Sequence, residues 1–568
     1  MDYQPHCDAL ARHLEIAPFL EELAATGIEV DQETWQQILL EAAKLAEGVI
    51  APVDRVMDEV GAKVVDGRVK TVPGHKDAWD QFAQGGWIGL PLPEELGGMA
   101  LPLVLQNACE ELFNRASPAF SMLGTPGRTA AEMLVASAPA EIAGEWVPRL
   151  VSGEWGATIC ISEPDAGSDV GRIRTRAISD GAGGWRITGE KCWISFGDHD
   201  LTQRIGHCML ARSNEQPGVR GLSLFLVPDS LEDGARNGAF VRRIEEKLGL
   251  HGSPTCVMGY EDAQGTLIGP EGRGLQTLFH MMLRMRLSCG PQGIGVAANA
   301  FDRALRYAGE RRQGGAPTDK PVLIREHADV QRILLGMAGR IEAARGVSLA
   351  CGNILQLSER AEDPAEKARW ASLAQFLLPI AKDMSARLAF DCASEAVQVF
   401  GGAGYTREWP VEQTLRDARV FAVFEGTSGI QAIDMVHRRL WREKGEGLGH
   451  FLAIARGEGD LGDTEAAAQL GASLDTLEAV AAQMAQMEGS GRDGDAGALA
   501  FLDLCGACVG GWIAGRLVRD AGEDPAGARL KAAARFYLAE LPARTEALGR
   551  LATLGERRLE GFAAFVED

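Results

Sequence analysis

The chain is 568 residues long, 46% hydrophobic and 24% charged, with a formal net charge of −22. A chain of this length is too long to fold around one hydrophobic core, so we expect two to four domains or subdomains. The composition is that of a globular protein rather than a disordered one. The negative charge argues against nucleic acid and anionic lipid as partners, because both are bound through clusters of Lys and Arg.

Eleven cysteines are scattered without the regular spacing of a disulfide framework. The N-terminal residues do not resemble a signal peptide, so we expect reduced thiols and a cytoplasmic location. Cys505 and Cys508 form a lone CxxC, which we interpret as two buried cysteines on one helix rather than a zinc or redox site. No metal site is predicted, and the sequence lacks the HExxH, GxSxG and GK[ST] signatures.

Hydrophobic periodicity divides the chain into helical, β, helical and helical segments, which predicts an α+β fold. Residues 1–155 are mainly helical, and residues 156–270 alternate with frequent turns, as in a small antiparallel, barrel-like β domain. Within it, Trp185–Ser195 is interpreted as two short strands joined by a turn. Helical periodicity returns over residues 271–446, at the lengths of a four-helix bundle, and an extra helical domain is predicted for residues 457–568.

One apolar run, Ala498–Gly515, carries a single charge, Asp503, and several glycines. It is barely long enough to span a bilayer, and its glycines and Asp503 lower its hydrophobicity. Ala507, Gly511 and Gly515 are spaced by four residues and therefore share one helical face that permits close helix contact. We therefore expect a buried helix and no membrane span.

Three segments could carry chemistry, and each has an ordinary alternative. Ile161–Asp169 is a loop of small and hydroxylic residues that could approach a planar ligand or simply connect two elements. Glu310–Gly315 ends a long helix with two arginines, which could bind phosphate or only complement the helix dipole. Glu425 lies in an apolar-then-glycine turn, where a carboxylate can act as a base or be an exposed loop residue.

Taken together, the motifs and their order resemble the acyl-CoA dehydrogenase family over about residues 42–446. The motifs are Ser162–Asp169 (SEPDAGSD), Glu246–Gly249 (EKLG), Gln398–Tyr405 (QVFGGAGY), Pro410–Glu412 (PVE), Arg416–Arg419 (RDAR) and Glu425–Thr427 (EGT). The helices after Gly457 resemble the longer branch of the family. That branch includes dehydrogenases of 3-methylmercaptopropionyl-CoA and of ordinary fatty acyl-CoAs.

The resemblance implies FAD as the cofactor and α,β-dehydrogenation of an acyl-CoA to the trans-2-enoyl-CoA. Glu425 matches the base that removes the α proton while flavin N5 accepts the β hydride. Its amide N–H would polarise the thioester carbonyl, and Gly426 would lie beside it at the substrate. Arg286 and Ser168 match residues that contact the CoA moiety.

The resemblance also implies the flavin contacts, some of which come from a neighbouring subunit. One group matches positions that line the flavin: Ile161, Ser162, Gly167, Ser168, Trp193 and Ser195. Thr427 matches a position near the FAD diphosphate. A second group matches contacts that reach the FAD of a neighbouring subunit: Arg311, Gln313, Gln398, Gly401 and Gly402. A homo-oligomer follows, and a dimer is expected because the longer branch is often dimeric.

Four positions depart from the common family pattern, of which Asp165 and Ser195 replace commoner Gly and Thr. Phe424 stands where many members have Tyr, and Gly429 where Gln or Asn is frequent. The implied electron acceptor is an electron-transfer flavoprotein. Two alternatives remain: an acyl-CoA oxidase, which would reduce oxygen, and a catalytically idle relative that serves as an assembly partner. The sequence does not predict acyl chain length, branching or thioether content.

Overall fold

The computed structural model describes residues 3–566, and the chain forms two compact units. Unit 1 comprises the residues up to Ala43, Pro102–Arg115 and the residues from Cys289 onward. Unit 2 comprises Lys44–Leu101 and Ala116–Ser288. The order of helical, β and helical regions confirms the predicted α+β fold.

The α-helices in chain order are α1 (Gln4–Glu15), α2 (Leu20–Ala25), α3 (Gln32–Leu45), α4 (Ala51–Val60), α5 (His75–Gln84), α6 (Leu103–Ala116), α7 (Pro118–Ser121), α8 (Gly124–Ser137), α9 (Ala140–Val151), α10 (Gly274–Glu310), α11 (Ala328–Arg360), α12 (Pro364–Phe400), α13 (Val411–Ala418), α14 (Ser428–Ile433), α15 (Glu446–Gly457), α16 (Thr464–Ala485), α17 (Asp493–Asp520), α18 (Pro525–Thr553) and α19 (Phe562–Val566). The strands are β1 (Lys63–Val65), β2 (Arg68–Lys70), β3 (Trp155–Cys160), β4 (Arg176–Ser179), β5 (Trp185–Ser195), β6 (Arg204–Arg212), β7 (Leu222–Pro228), β8 (Ala239–Ile244) and β9 (Thr255–Ile268).

Unit 1 is built on the long helices α11 and α12, against which α17 and α18 pack. Glycines allow the close approach. A Cβ at Gly339 of α11 would lie 2.8 Å from the carbonyl oxygen of Ala533 in α18. A Cβ at Gly346 would lie 2.3 Å from the side chain of Ile513 in α17. The C-terminal helices therefore share a packed interior with α11 rather than forming a separate appendage.

The apolar run around Asp503 is the centre of α17, and Cys505 and Cys508 are both buried there. Asp493–Asp520 is long and apolar enough to cross a membrane, yet 78% of its most apolar window is buried inside the protein. The Arg387 guanidinium of α12 donates a hydrogen bond to Asp503 at 3.2 Å, which accounts for the lone charge. The helix is thus a core helix, as the sequence predicts.

The small-residue face of α17 is covered by the same chain. A Cβ at Gly511 would lie 2.5 Å from Leu541 of α18, and one at Gly515 would lie 3.1 Å from Leu461. The Tyr537 hydroxyl donates to the carbonyl of Ala507 at 3.0 Å. The predicted close helix contact is therefore intramolecular.

Unit 2 contains a barrel closed by five strands. The strand pairings run β6–β4–β5–β9–β7 and return to β6, while β3 adds to β6 and β8 adds to β9. One apolar cluster fills the space around Phe225, Met258 and Tyr260, and a second packs β3 and β6 against α8 and α9. In the second cluster, the rings of Trp146 and Trp155 lie 4.5 Å apart.

The structure corrects three details of the predicted secondary structure. Strand β6 pairs in parallel with β3 and, at one position, with β4, so the sheet is mixed rather than wholly antiparallel. Trp185–Ser195 is one strand with two register shifts, not two strands and a turn. Gly189 within this strand leaves no room for a side chain, because a Cβ there would lie 2.5 Å from Thr175 Oγ1. A hairpin, β1–β2, also interrupts the region predicted to be helical.

Candidate active site

The predicted base, Glu425, lies in a tight turn of unit 1. A 3₁₀ turn at Arg419–Ala422 precedes it, and α14 begins at Ser428. Glu425 has a φ of +54°, and the next residue, Gly426, has a φ of +88°. A positive φ is strained for a residue that has a Cβ, so surrounding contacts must hold Glu425 in this conformation. Strain of this kind concentrates at functional sites.

Side chains of α14 hold the turn from its C-terminal side. Gln431 is fully buried, and its Nε2 donates to the carbonyl oxygens of Glu425 and Gly426 at 3.3 and 3.2 Å. Thr427 caps the helix, because its Oγ1 accepts the N–H of Ile430 at 3.3 Å. Glu425 itself is half-buried. The carboxylate therefore projects from a backbone that is anchored on a helix end.

The residues before the base are apolar, as the sequence indicates. Phe421 is buried, and the ring centroid of Phe424 lies 5.6 Å from that of Phe421. Because Phe424 has no hydroxyl, the ring beside Glu425 offers no hydrogen bond. The turn thus joins an apolar segment to a carboxylate.

The predicted flavin loop follows β3 in unit 2. Glu163 and Ala166 form an isolated β-bridge with N–H···O distances of 3.1 and 3.0 Å, so the loop turns back on itself. The carbonyl of Ser162 accepts the N–H of Cys192 at 3.0 Å, which ties the loop to β5. The loop presents half-buried and exposed positions among the predicted contacts: Ile161, Ser162, Gly167 and Ser168.

A buried ion pair supports this loop, and the sequence alone does not reveal it. The Lys191 ammonium is fully buried, 2.9 Å from Glu163 Oε1, and donates to the carbonyl of Ile161 at 3.0 Å. Glu163 also accepts the N–H groups of Arg174 and Thr175 at 2.7 and 3.0 Å. Burial raises the pKa of Glu163, but Lys191 and these hydrogen bonds outweigh it, so the pKa is lowered. The carboxylate therefore stays charged and fixes the loop.

Trp193 is presented by an irregularity in β5. The register with β9 shifts between Lys191 and Ile194, and Trp193 at the shift has a φ of +63°. Its side chain is 63% exposed. Ser195 follows within the strand, half-buried and paired with Thr255. An exposed indole on a rigid strand can stack on a planar ring such as isoalloxazine.

The residues implied to reach a neighbouring subunit flank one aromatic cluster of unit 1. Tyr307 near the end of α10 stacks on Phe400 at the end of α12 with centroids 4.2 Å apart, and Trp409 lies 5.5 Å from both rings. The implied contacts follow or precede these rings in the chain and are all exposed: Arg311, Gln313, Gln398, Gly401 and Gly402. The structure therefore brings the two segments together at one surface, with polar groups turned to solvent.

Arg286, the implied CoA contact, lies on the unit 2 part of α10. Its side chain is half-buried, and its Nε, although buried, has no hydrogen-bond partner among residues 3–566. A buried guanidinium nitrogen without a partner is costly, so a ligand acceptor would satisfy it. The sequence alone could not reveal this unsatisfied nitrogen.

The residues present fit FAD within each unit considered separately. Unit 2 supplies an exposed indole from Trp193 and the hydroxyls of Ser162 and Ser168, groups suited to a flavin ring and its polar edge. Unit 1 supplies the exposed Arg311 guanidinium, a group suited to a pyrophosphate, and the open backbone at Gly401, where a Cβ would meet nothing within 4 Å.

Comparison with known protein families identifies three consecutive matches. Residues 32–154 match the acyl-CoA dehydrogenase N-terminal domain, residues 158–263 the middle domain, and residues 272–440 the C-terminal domain. They span the segments that carry the predicted flavin loop and the predicted base.

Two characterised relatives are similar over most of their length. One is the 3-methylmercaptopropionyl-CoA dehydrogenase of Ruegeria pomeroyi, 37% identical over 89% of this chain and 88% of the relative. Another is the broad-specificity linear acyl-CoA dehydrogenase FadE5 of Mycobacterium tuberculosis, 31% identical over 85% of this chain and 84% of the relative.

Solved structures share the fold, including the C-terminal extension. Caenorhabditis elegans ACDH-11 in complex with C11-CoA has a TM-score of 0.79 at 20% identity, covering 98% of this chain and 94% of that one. An acyl-CoA dehydrogenase from Bacillus anthracis complexed with FAD has a TM-score of 0.77 at 20% identity, with the same coverage. Butyryl-CoA dehydrogenase from Megasphaera elsdenii, by contrast, covers 72% of this chain and 98% of its own length. The chain therefore belongs to the acyl-CoA dehydrogenase family of FAD-dependent oxidoreductases that act on CH–CH groups.

Proposed function

We propose that this chain dehydrogenates an acyl-CoA thioester to the trans-2-enoyl-CoA, with Glu425 as the base. The observation that carries the proposal is the left-handed backbone at Glu425 and Gly426, held by two hydrogen bonds from the buried amide of Gln431. The protein maintains a strained conformation at the residue that the family motif assigns to catalysis, which supports a functional reason for that conformation.

In the proposed reaction, the Glu425 carboxylate takes the α proton, and the β hydrogen leaves as a hydride, so that a C=C bond forms between the two carbons. Bound FAD supplies the hydride acceptor. The amide N–H of Glu425 donates to the thioester oxygen and stabilises the negative charge that develops there. Trp193 would pack on the flavin ring, and an oxygen of the CoA moiety would accept from the buried Nε of Arg286.

Glu425→Gln tests this assignment. The amide has the same shape as the carboxylate but cannot accept the proton, so the variant should bind FAD and acyl-CoA while anaerobic flavin reduction is lost. Glu446→Gln is the matched control, because Glu446 is an exposed carboxylate at the start of α15. Bleaching of the Glu425→Gln flavin at a near-normal rate would refute Glu425 as the base.

The substrate class is best approached through the two characterised relatives. One acts on a short thioether acyl-CoA and the other on linear acyl-CoAs, as their names state. A panel of short, long, branched and thioether acyl-CoAs, scored by the rate of flavin bleaching, ranks these classes directly.

We further propose that an electron-transfer flavoprotein reoxidises the flavin and that the protein works in the cytoplasm. Rapid turnover with oxygen alone would instead identify an oxidase. A protein that purifies without flavin and does not respond to acyl-CoA would be the idle relative.

A homodimer is the proposed assembly. Arg311 and Gln398 are exposed around one aromatic cluster, where the family motif assigns them to a neighbour's FAD. Sedimentation should therefore give a dimer or a larger oligomer. A monomer with a full complement of flavin would contradict a cross-subunit site.

A further inference from the structure

A second buried lysine, Lys382, lies directly against the turn that carries Glu425. It is in the interior of α12 and is fully buried. Its ammonium donates to the carbonyl of Phe421 at 3.0 Å and to the carbonyl of Gly426 at 2.8 Å. These two acceptors lie on either side of Glu425 in the chain, so one ammonium spans the turn.

Burying an ammonium is costly unless its donors are satisfied, and a charged donor makes stronger hydrogen bonds than a neutral one. A solvent-exposed lysine would avoid this cost. The hydrogen bonds from Lys382 to the turn therefore offset part of the free-energy cost of burying its ammonium. The two carbonyl oxygens in turn rely on Lys382 as a hydrogen-bond donor. Removing the ammonium would take this charged donor from the oxygen of Phe421 and leave the oxygen of Gly426 with the neutral amide of Gln431.

The amide of Gln431 acts on the same turn from another helix. Its Nε2 donates to the carbonyls of Glu425 and Gly426, so the Gly426 oxygen accepts from both Lys382 and Gln431. Gln431 Oε1 is buried and has no hydrogen-bond partner within residues 3–566. An amide that leaves its own oxygen unsatisfied is oriented by its donor contacts, which here are those with the turn.

These contacts hold a strained backbone conformation that would otherwise relax. Glu425 and Gly426 are consecutive residues with positive φ, and the first has a Cβ. A flip of either peptide would redirect the Glu425 side chain. A displacement of about 1 Å at a reacting group can lower a rate about 100-fold.

We infer that Lys382 is a positioning residue for proton abstraction: its buried ammonium fixes the carbonyls on both sides of Glu425 and thereby the direction of the carboxylate. Gln431 supplies the second anchor. The inference rests on the proposed role of Glu425 as the base. It assigns Lys382 no contact with the substrate and no proton transfer.

The test is Lys382→Met in the flavin-loaded full-length protein, which keeps the length of the side chain and removes its donors. We expect single-turnover flavin reduction by the best acyl-CoA of the panel to slow about 100-fold. The Kd of that acyl-CoA should change less than about threefold, because Lys382 is assigned no contact with the substrate. Lys531→Met is the matched control, since Lys531 is a buried lysine of the same unit, paired with Glu523, and should leave the rate unchanged.

Two further variants separate positioning from general stability. Lys382→Arg keeps a charged donor and should recover the rate to within about tenfold of the wild type. Gln431→Leu removes the second anchor and should slow reduction about tenfold; it decides the question if Lys382→Met does not fold.

An acyl-CoA with sulfur at position 3 can lose its α proton but has no β hydride, so its charge-transfer absorption with the flavin reports proton abstraction alone. That absorption should form about 100-fold more slowly in Lys382→Met.

The outcomes distinguish this inference from the proposed function. If no acyl-CoA bleaches the wild type, or if Glu425→Gln is fully active, the proposed function fails. If the wild type is active and Glu425→Gln is not, but folded Lys382→Met reduces its flavin within threefold of the wild-type rate, the positioning role alone is overturned. A normal rate in Gln431→Leu overturns it likewise when Lys382→Met does not fold.

Discussion

The buried pair between Lys191 and Glu163 gives a stability prediction that can be worked from the structure. Lys191→Met removes an ammonium with 0% exposure from a carboxylate with 7% exposure, at 2.9 Å. Removing one partner of a buried ion pair typically costs about 3–5 kcal/mol, because the other charge stays buried without compensation. The carbonyl of Ile161 loses a donor as well. In a unit of 150–250 residues this corresponds to a fall in melting temperature of roughly 6–20 °C.

The assay is thermal and urea unfolding of the flavin-free protein, followed by FAD titration, since the pair holds the predicted flavin loop. Lys70→Met is the control, because Lys70 is 55% exposed and 3.5 Å from Asp200. Loss of such a surface pair costs less than about 1 kcal/mol. The double variant Lys191→Met with Glu163→Gln should lose less than the sum of the single losses, because no buried charge remains alone. If Lys191→Met unfolds within about 1 kcal/mol of the wild type, the pair does not hold the loop.

Two further predictions concern acid pH and helix packing. Burial lowers the pKa of His199 and of His207 from 6.5 to about 4, so both are neutral in the folded protein. Between these pKa values the unfolded chain binds more protons than the folded protein, so the free energy of unfolding should fall by about 2 kcal/mol for each histidine between pH 7 and pH 5. His207→Gln should make the unfolding free energy depend less steeply on pH. An unchanged urea midpoint in the wild type between pH 7 and pH 5 would contradict this. In α17, a Cβ at Gly497 would lie 2.0 Å from the carbonyl oxygen of Ala552, so Gly497→Ala should destabilise the protein by about 1–3 kcal/mol. Gly471→Ala in α16, where a Cβ meets nothing within 4 Å, should raise the melting temperature slightly; equal effects of the two glycine variants would refute the packing argument.

The order of helical and β regions could be predicted because the periodicity of hydrophobic residues is a local property of the sequence. The buried helix around Asp503 could also be predicted, from its glycines and its single charge. Its partner could not, because Arg387 lies 116 residues away in the chain. The parallel pairing of β3 with β6 was missed for the same reason, since strand direction depends on the path of the chain between them.

The candidate site likewise has residues that the sequence could single out and residues that it could not. Glu425 and the Ser162–Asp169 loop belong to contiguous motifs, so the sequence could single them out. Lys191 and Lys382 could not be singled out from the sequence, because their partners lie 28 to 44 residues away and a lysine is ordinary in either strand or helix. Burial, which only the structure gives, is what distinguishes these two lysines from surface ones.

The central claim, that the chain dehydrogenates an acyl-CoA with Glu425 as the base, is tested most directly by one anaerobic measurement. The flavin-loaded protein is mixed with its best acyl-CoA, and the loss of flavin absorbance is compared with the amount of trans-2-enoyl-CoA formed. We predict one equivalent of enoyl-CoA for each flavin reduced in the wild type, and neither bleaching nor product in Glu425→Gln. Enoyl-CoA formed by Glu425→Gln at the wild-type rate, or flavin reduction by the wild type without enoyl-CoA, would contradict the account.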